Sequence, residues 1–347
     1  MAKGFAVQKE YTLSDQQTVA AIAAAAEDLP PPEHVEAFGA AFERYGDASV
    51  VLLGEATHGT SEFYRARAAI TRHLIQNCGF NIVAVEADWP DAARIDRYVR
   101  HHAPEPSREK AFDRFPSWMW RNEEVLEFVE WLRRFNELKA PGDRVEFRGL
   151  DIYSLHTSIA AVLRYLDRVD PGAAREARTR YGCLTPWQYE PARYGHHAAM
   201  GGETCEQAAS EQLVELLEHR LQYAARDGEK FFDAAQNARI VRAAEQYYRI
   251  MYEGSRSSWN LRDRHMFDTL QSLMRHRGPA AKAVVWAHNS HVGNAAATSM
   301  GWEGEFNIGE LCRTSYGSRL VSIGFGTDRG TVAAAADWDS PMEVKDV

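Results

Sequence analysis

Three stretches of the sequence end an apolar run with residues that can move a proton. The first reads GEATHGTSEF from Gly54 and follows the apolar residues 49–53, so Glu55 and His58 come where a buried strand would end. A histidine can take a proton from water near neutral pH, and a neighbouring carboxylate can hold its ring in one tautomer. Glu55 and His58 therefore fit an orienting carboxylate and a general base. Alternatively, Glu55 caps the following helix and His58 only fills the loop.

The other two stretches have the same layout. Apolar residues 82–85 lead into Glu86, and apolar residues 283–287 lead into His288 and His291. In α/β sheets, binding sites form in the crevice beyond the carboxyl ends of the strands. We therefore expect one site that is built from all three strand ends.

Arginines near these segments could supply positive charge. Arg67 lies two turns into the predicted first helix, where it could stabilise an oxyanion together with His288 or pair with Glu86. Burial would raise the pKa of Glu86 and a cationic neighbour, Arg67 or Arg94, would lower it. Arg262 is a weaker candidate of the same kind. The competing interpretation is that these arginines are solvated on their helices.

A further group of residues is expected to contact the substrate. Residues 115–120, FPSWMW, are too apolar for an exposed loop, so Trp118 and Trp120 could form the floor of an apolar pocket. Packing in the core is the stronger interpretation for this segment. Asp88 could line the same pocket or cap the next helix. The remaining candidates for substrate contact are His291 and Arg262.

Metal binding is an alternative for the same residues. Zinc, iron or manganese could be coordinated by Glu55, His58, Glu86, His288 and His291. However, the last two are spaced HxxH in a loop, unlike a helical HExxH, and no cysteine joins them. The chain also lacks a phosphate-binding GxGxxG loop and a GxSxG nucleophile elbow. We therefore expect no organic cofactor and no required metal, with a divalent metal as the alternative.

Composition argues against several classes of partner. The net charge of −9 over 347 residues does not suit a protein that binds a phosphate backbone. No run approaches the ~18 apolar residues of a membrane span, and the N-terminus lacks the apolar core of a secretory signal. The four cysteines are scattered without a CxxC pair, which predicts free thiols in a reducing compartment. We therefore expect a cytoplasmic protein with a small-molecule substrate.

The order of elements predicts an α/β fold. Short apolar stretches alternate with amphipathic helices, a pattern typical of a mostly parallel central sheet flanked by helices, with the cleft at the carboxyl ends of its strands. The predicted strands are residues 49–54, 81–86, 144–149, 282–287 and 319–325.

One long stretch lacks strands. Residues 172–277 contain only helical patterns, with long helices predicted at 203–226, 230–252 and 258–276. We expect an all-helical insertion that forms a lid or subdomain within a single domain spanning residues 1–347. Residues 332–347 show no closing helix, so a C-terminal segment that would complete the sheet is expected to be missing.

Taken together, these segments resemble the erythromycin esterase family, which includes esterase-like proteins and proteins labelled succinoglycan biosynthesis. The resemblance spans roughly residues 45–345. It rests on GEATHGTSEFYRARAAI, the strand end at Glu86, FRGLDIYS, the helix start at residues 260–263, AHNSH and SIGF.

The resemblance implies an α/β core, a long helical insertion and a deep cleft between them. It also implies that His58 is a general base that activates water to attack an ester or macrolactone carbonyl, with Glu55 beside it. Matching segments bring Arg67, Glu86, His288 and His291 into the same site. The expected activity is hydrolysis of a carboxylic ester or lactone, with macrolides, and hence antibiotic resistance, as a narrower expectation. A metal-dependent hydrolase, a transferase and a non-catalytic binding protein of the same fold are the alternatives.

Overall fold

A five-stranded parallel sheet lies at the centre of the computed structural model, which describes residues 15–102, 111–112, 117–336 and 340–347. Its strands run in the order β3-β2-β4-β1-β5, and every pairing is parallel. The strands are β1 (Val50–Leu53), β2 (Ile82–Asp88), β3 (Glu146–Asp151), β4 (Ala283–Trp286) and β5 (Leu320–Ile323). The first four are buried along almost their whole length, as expected for parallel strands covered on both faces. The predicted parallel sheet is confirmed.

Helices cover both faces of this sheet. Before β3 they are α1 (Asp15–Ala25), α2 (Val35–Ala40), α3 (Ser61–Cys78), α4 (Trp89–Val99) and α5 (Glu123–Glu137). The longest of these, α3, connects β1 to β2 and ends at Gly79, whose left-handed φ of 75° suits glycine. The predicted loop at 104–116, with Phe115 and Pro116, lies outside the described residues except for residues 111 and 112.

Between β3 and β4 the described chain is helical, as the sequence predicts. The helices are α6 (Leu155–Val169), α7 (Pro171–Tyr181), α8 (Pro191–Ala199), α9 (Glu206–Glu218), α10 (Arg220–Ala224), α11 (Gly228–Ile250) and α12 (Ser255–Arg277). Residues from Leu155 to Tyr248 contribute to an apolar core separate from the two that cover the sheet. The single helix predicted at 203–226 is wrong, because the chain leaves helical geometry at His219 and α9 and α10 are distinct.

After β4 the chain forms short elements and then a hairpin. Three helices, α13 (Asn289–Val292), α14 (Ser299–Trp302) and α15 (Ile308–Tyr316), precede β5. Two further strands, β6 (Thr331–Ala334) and β7 (Glu343–Asp346), pair antiparallel in a sheet of their own. No strand was predicted here, because a run of alanines carries no alternation of apolar and polar residues.

Two of the four cysteines are paired. Cys183 and Cys205 form a disulfide with their Cα atoms 6.0 Å apart, whereas Cys78 and Cys312 are free. The prediction of four free thiols is therefore wrong. The turn after α7 folds back against the start of α9, a contact that cysteine spacing alone does not reveal. Separately, none of the described helices is long and apolar enough to cross a membrane.

Candidate active site

The three predicted strand ends do meet at one edge of the sheet. β4 lies between β1 and β2, and β3 lies beside β2, so four adjacent strands end at the same edge. A cleft of about 670 Å³ opens there. Its walls include six of the predicted site residues, His58, Glu86, Asp88, Trp118, Trp120 and Arg262.

His58 faces the cleft with one ring nitrogen engaged. Its Nδ1 lies 2.9 Å from Oε1 of Glu55, whose side chain is fully buried. Among the residues that the structure describes, Nε2 has no hydrogen-bond partner, and 32% of the His58 side chain is exposed. The carboxylate accepts the Nδ1 proton, so the tautomer that it favours leaves Nε2 free to accept another.

The surroundings of His58 also tune its basicity. Burial alone would lower the pKa of His58, but the hydrogen bond to Glu55 and the negative charges of Glu86 and Glu55 raise it above the usual 6.5. The carboxylates thus stabilise the imidazolium form, which is the form that a general base reaches after it accepts a proton.

Arg67 supports Glu55 from behind. Its Nη2 lies 2.7 Å from Oε2 of Glu55, and its guanidinium lies over the rings of Tyr64 and Trp286, at 4.5 and 5.1 Å. Its nitrogens are buried without well-aligned hydrogen bonds, so the ion pair and the aromatic faces hold its charge. Arg67 is fully buried and does not line the cleft. Its predicted contacts with an oxyanion or with Glu86 are therefore wrong.

The cation beside Glu86 is Arg262, rather than Arg67 or Arg94. Nη2 of Arg262 donates to Oε1 of Glu86 at 2.7 Å and to Oδ2 of Asp151 at 2.7 Å, while Nε donates to Oδ1 of Asp151 at 2.9 Å. Burial would raise the pKa of Glu86, but the charges of His291 and Arg262 hold it well below 4.5. Glu86 is therefore an ionised carboxylate.

His291 lies behind this ion pair. Its Nδ1 is 2.9 Å from Oδ1 of Asp263, and its ring stacks on Trp259 with 4.6 Å between ring centroids. Nε2 lies 3.0 Å from Nη1 of Arg262 and 3.3 Å from Oε1 of Glu86. A neutral ring accepts from the arginine and an imidazolium donates to the carboxylate, so the ring is held in either state.

The protonated form of His291 is the favoured one. Burial would lower its pKa, but the charges of Glu86 and Asp263 raise it to about 9. The residue is only 2% exposed and does not line the cleft. The predicted direct contact of His291 with substrate is therefore contradicted, and its contacts are with Glu86 and Arg262.

His288 has no free ring nitrogen. Nε2 donates to the backbone oxygen of Ala56 at 3.0 Å, and Nδ1 accepts from the backbone N–H of Ser290 at 3.2 Å, which caps α13. Its backbone N–H donates to Oε2 of Glu86 at 2.8 Å. His288 does not line the cleft, so the predicted oxyanion contact disagrees with the structure. Its side chain ties the β4 end to the β1 loop.

Trp118, Trp120 and Asp88, which are further expected substrate contacts, line the cleft. Trp120 packs in the core and also lines the cleft, with Nε1 donating to the backbone oxygen of Glu86 at 3.1 Å. Trp118, beside it, is half-buried. Asp88 occupies the N-cap position of α4 without a side-chain capping bond, and its Oδ1 accepts from the backbone N–H of Tyr153 at 3.0 Å. The core and pocket interpretations of the aromatic segment therefore both hold.

Sequence reasoning missed several residues of the site. Asp151 and Tyr153 line the cleft, and Asp263 and Trp259 hold His291. Asp151 ends a buried strand, as Glu86 does, so the same signal could have identified it. Asp263 carried no comparable signal, because its partner lies 28 residues away in the sequence.

The candidate metal ligands do not form one cluster. Within the described ranges, no group of three or more His, Cys, Asp or Glu side chains is arranged to hold a metal ion. The guanidinium of Arg262 occupies the space between Glu86, Asp151 and His291. It supplies positive charge there through hydrogen bonds that a metal ion would have to displace.

Comparison with known proteins places this chain in an esterase-like family. The chain belongs to the erythromycin esterase family, whose model matches residues 75–347. It is similar to erythromycin esterase type II of Escherichia coli, at 21% identity over 322 residues that cover 88% of this chain and 75% of that protein. Because it covers 88% of this chain, that alignment also extends over the loop with Glu55 and His58, which precedes the family match.

Solved structures share the fold. A protein from Bacillus cereus matches with a TM-score of 0.76 and 21% identity, over 96% of this chain and 79% of that one. A mutant of the erythromycin esterase EreC in its open conformation matches with a TM-score of 0.69 and 17% identity, over 89% of this chain and 78% of that one. The resemblance predicted from sequence motifs is thereby confirmed at the level of family and fold.

Proposed function

We propose that this protein hydrolyses a carboxylic ester or lactone by direct attack of a water molecule that His58 activates. One observation carries the proposal: His58 lines the cleft with Nδ1 held by a buried carboxylate, while Nε2 has no hydrogen-bond partner among the described residues. A general base must lie within reach of the proton that it removes, and a raised pKa makes it a stronger base. Membership of the erythromycin esterase family supports the same reaction class.

The first step forms a tetrahedral intermediate. Nε2 of His58 takes a proton from water while the water oxygen bonds to the carbonyl carbon, and the carbonyl oxygen becomes an oxyanion. The positive charge on the ring is stabilised by Glu55 through the hydrogen bond at Nδ1. In the second step the oxyanion re-forms the carbonyl while the carbon–oxygen bond to the alcohol breaks, and the alcohol oxygen takes the proton back from Nε2, which leaves the carboxylic acid and the alcohol.

Arg262 is the proposed partner of the oxyanion. A guanidinium has five N–H groups, and three of these in Arg262 go to Asp151 and Glu86. Nη1 lies 3.0 Å from Nε2 of His291 and can donate only to the neutral ring, so among the described residues at least one Nη1 hydrogen is left for an acceptor in the cleft. Donors that are fixed before the reaction stabilise developing charge at little reorganisation cost. Glu86 and Asp151 provide that fixation.

The proposed substrate class is broader than the substrate that the names of the relatives indicate. The relative from Escherichia coli is named an erythromycin esterase, and a macrolactone ring is one form of ester that this cleft could take. The volume of about 670 Å³ suits a ligand of drug size. No organic cofactor is part of the proposed reaction, because water is the nucleophile and His58 carries the proton.

The test is hydrolysis of a panel of simple esters, lactones and 14-membered macrolides, with and without a chelator. Mass spectrometry follows the products. We expect a product heavier than its lactone by one water, formed equally in the presence of the chelator. Absence of turnover across the panel in folded protein would contradict the proposed function. Turnover that the chelator abolishes would instead favour the metal-dependent alternative.

A further inference from the structure

One wall of the cleft consists almost entirely of small side chains. The residues from Val332 to Ala336, four of them alanines, line the cleft together with Thr57 and His58. Larger side chains form another part of the lining, namely Phe112, Trp118, Met119 and Trp120. We call residues 332–336 the alanine wall. Its small side chains leave space in the cleft that longer side chains at the same positions would fill.

The hairpin formed by β6 and β7 rests directly on the loop that carries His58. The backbone N–H of Ala333 donates to the backbone oxygen of Gly59 at 3.0 Å. A Cβ atom on Gly59 would come within 1.9 Å of the backbone oxygen of Ala333, so glycine is required for this approach. Backbone atoms thus fix the distance between the alanine wall and the residue next to His58, and no rotamer change can widen it.

The two strands of the hairpin have different surroundings. β6 contributes to the cleft, whereas all four residues of β7 are exposed. Among the described strands, neither pairs with the central sheet. Within β7, Asp346 pairs with Thr331, which does not line the cleft, so a substitution of Asp346 changes the hairpin without changing the cleft and can serve as a matched control.

We propose that this hairpin determines substrate size, because its alanine wall sets the width of the cleft beside His58. The kinetic form of this inference rests on the proposed ester hydrolysis. Ala335 is the position of choice for a test, since it lines the cleft but follows the last residue of the β6–β7 ladder, Ala334. A larger side chain there fills the cleft without displacing a paired residue.

The experiment compares Ala335→Trp with Asp346→Trp, which adds the same side chain on the exposed strand β7. Two substrates of different width are used, nitrophenyl acetate and nitrophenyl adamantanecarboxylate. We expect Ala335→Trp to lower kcat/KM for the adamantane ester by about 10- to 100-fold relative to the acetate. Asp346→Trp should leave the ratio of the two substrates unchanged. Circular dichroism checks that both variants are folded.

Binding of the two matching anilides, which contain no ester, is measured in parallel by calorimetry. If the wild type hydrolyses neither ester, the anilide dissociation constants alone decide the present proposal, while the full panel of esters, lactones and macrolides decides the proposed function. Selective loss of binding of the adamantyl anilide in Ala335→Trp would support the present proposal. An unchanged ratio of the two dissociation constants in Ala335→Trp, or the same change in Asp346→Trp, would overturn it.

Discussion

Glu55 contacts one side chain that is partly exposed and one that is fully buried. One oxygen accepts from the partly exposed His58, and the other pairs with the buried Arg67. Because Arg67 is buried in the core and holds Glu55, Glu55 in turn holds the side chain of His58 in position in the cleft. In the same way, Asp151 and Glu86 fix Arg262. At the scale of the residue, the proposed base and the proposed oxyanion partner are both held by carboxylates that take no part in the proposed bond changes.

The pH dependence of turnover should report on the pair of Glu55 and His58. The base acts when neutral, so kcat/KM should rise with pH through a pKa above 6.5, the usual histidine value. Glu55→Gln removes a carboxylate that stabilises the imidazolium, so the rising limb should move to lower pH. The measurement is kcat/KM between pH 5 and 9 for both proteins. A limb that stays in place in Glu55→Gln would contradict the assigned contact.

The helical insertion joins the sheet through buried charges as well as apolar contacts. Glu229, at the start of α11, accepts from Arg100, which follows α4, at 2.7 Å and from Arg148 of β3 at 2.6 Å. Burial would raise the pKa of Glu229, but the hydrogen bond with His276 and the charges of Arg148 and Arg100 hold it below its usual value. At the scale of the element, this carboxylate links the insertion to the layer beneath the cleft.

Removal of that link should destabilise the fold. Glu229→Gln leaves the buried side chains of Arg100 and Arg148 with less compensating charge. We expect a loss of about 2 kcal/mol in the free energy of unfolding, which is below the loss for a fully buried pair because 36% of the Glu229 side chain is exposed. The control Asp167→Asn breaks an exposed pair with Arg178 and should leave the free energy of unfolding nearly unchanged. Urea unfolding measures both, and equal losses would contradict the linking role.

The disulfide within the insertion gives a chemical prediction at the same scale. Protein unfolded without reductant should expose two thiols, Cys78 and Cys312, and reduction should release two more. Alkylation followed by mass spectrometry counts them. Four reactive thiols before reduction would show that Cys183 and Cys205 are not paired.

At the scale of the whole molecule, the features that can be predicted from the sequence are those with a short local pattern. The apolar strands and the polar residues at their ends located the sheet, the cleft and the pair of Glu55 and His58. Such patterns do not predict contacts between segments that are far apart in the sequence. The partner of Glu86 proved to be Arg262, which is 176 residues away. The partner of Arg67 proved to be Glu55, because a position in a helix does not reveal which side chain it contacts.

The same limit explains the C-terminal region. An alanine run has no periodicity, so the hairpin of β6 and β7 could not be predicted, and its contact with Gly59 is visible only in three dimensions. The disulfide was missed for a related reason, since two cysteines that are 22 residues apart fit many arrangements. Local chemistry was thus predictable, whereas the tertiary contacts that orient it were not.

The central claim is that His58 is the base, and its substitution tests that claim most directly. On the ester that the wild type hydrolyses best, His58→Asn should lower kcat/KM by about 10²- to 10⁴-fold, because asparagine has no basic nitrogen. The matched control is His219→Asn, which removes an exposed histidine at the junction of α9 and α10. It should leave the rate unchanged. A folded His58→Asn variant with kcat/KM close to that of the wild type would contradict the account.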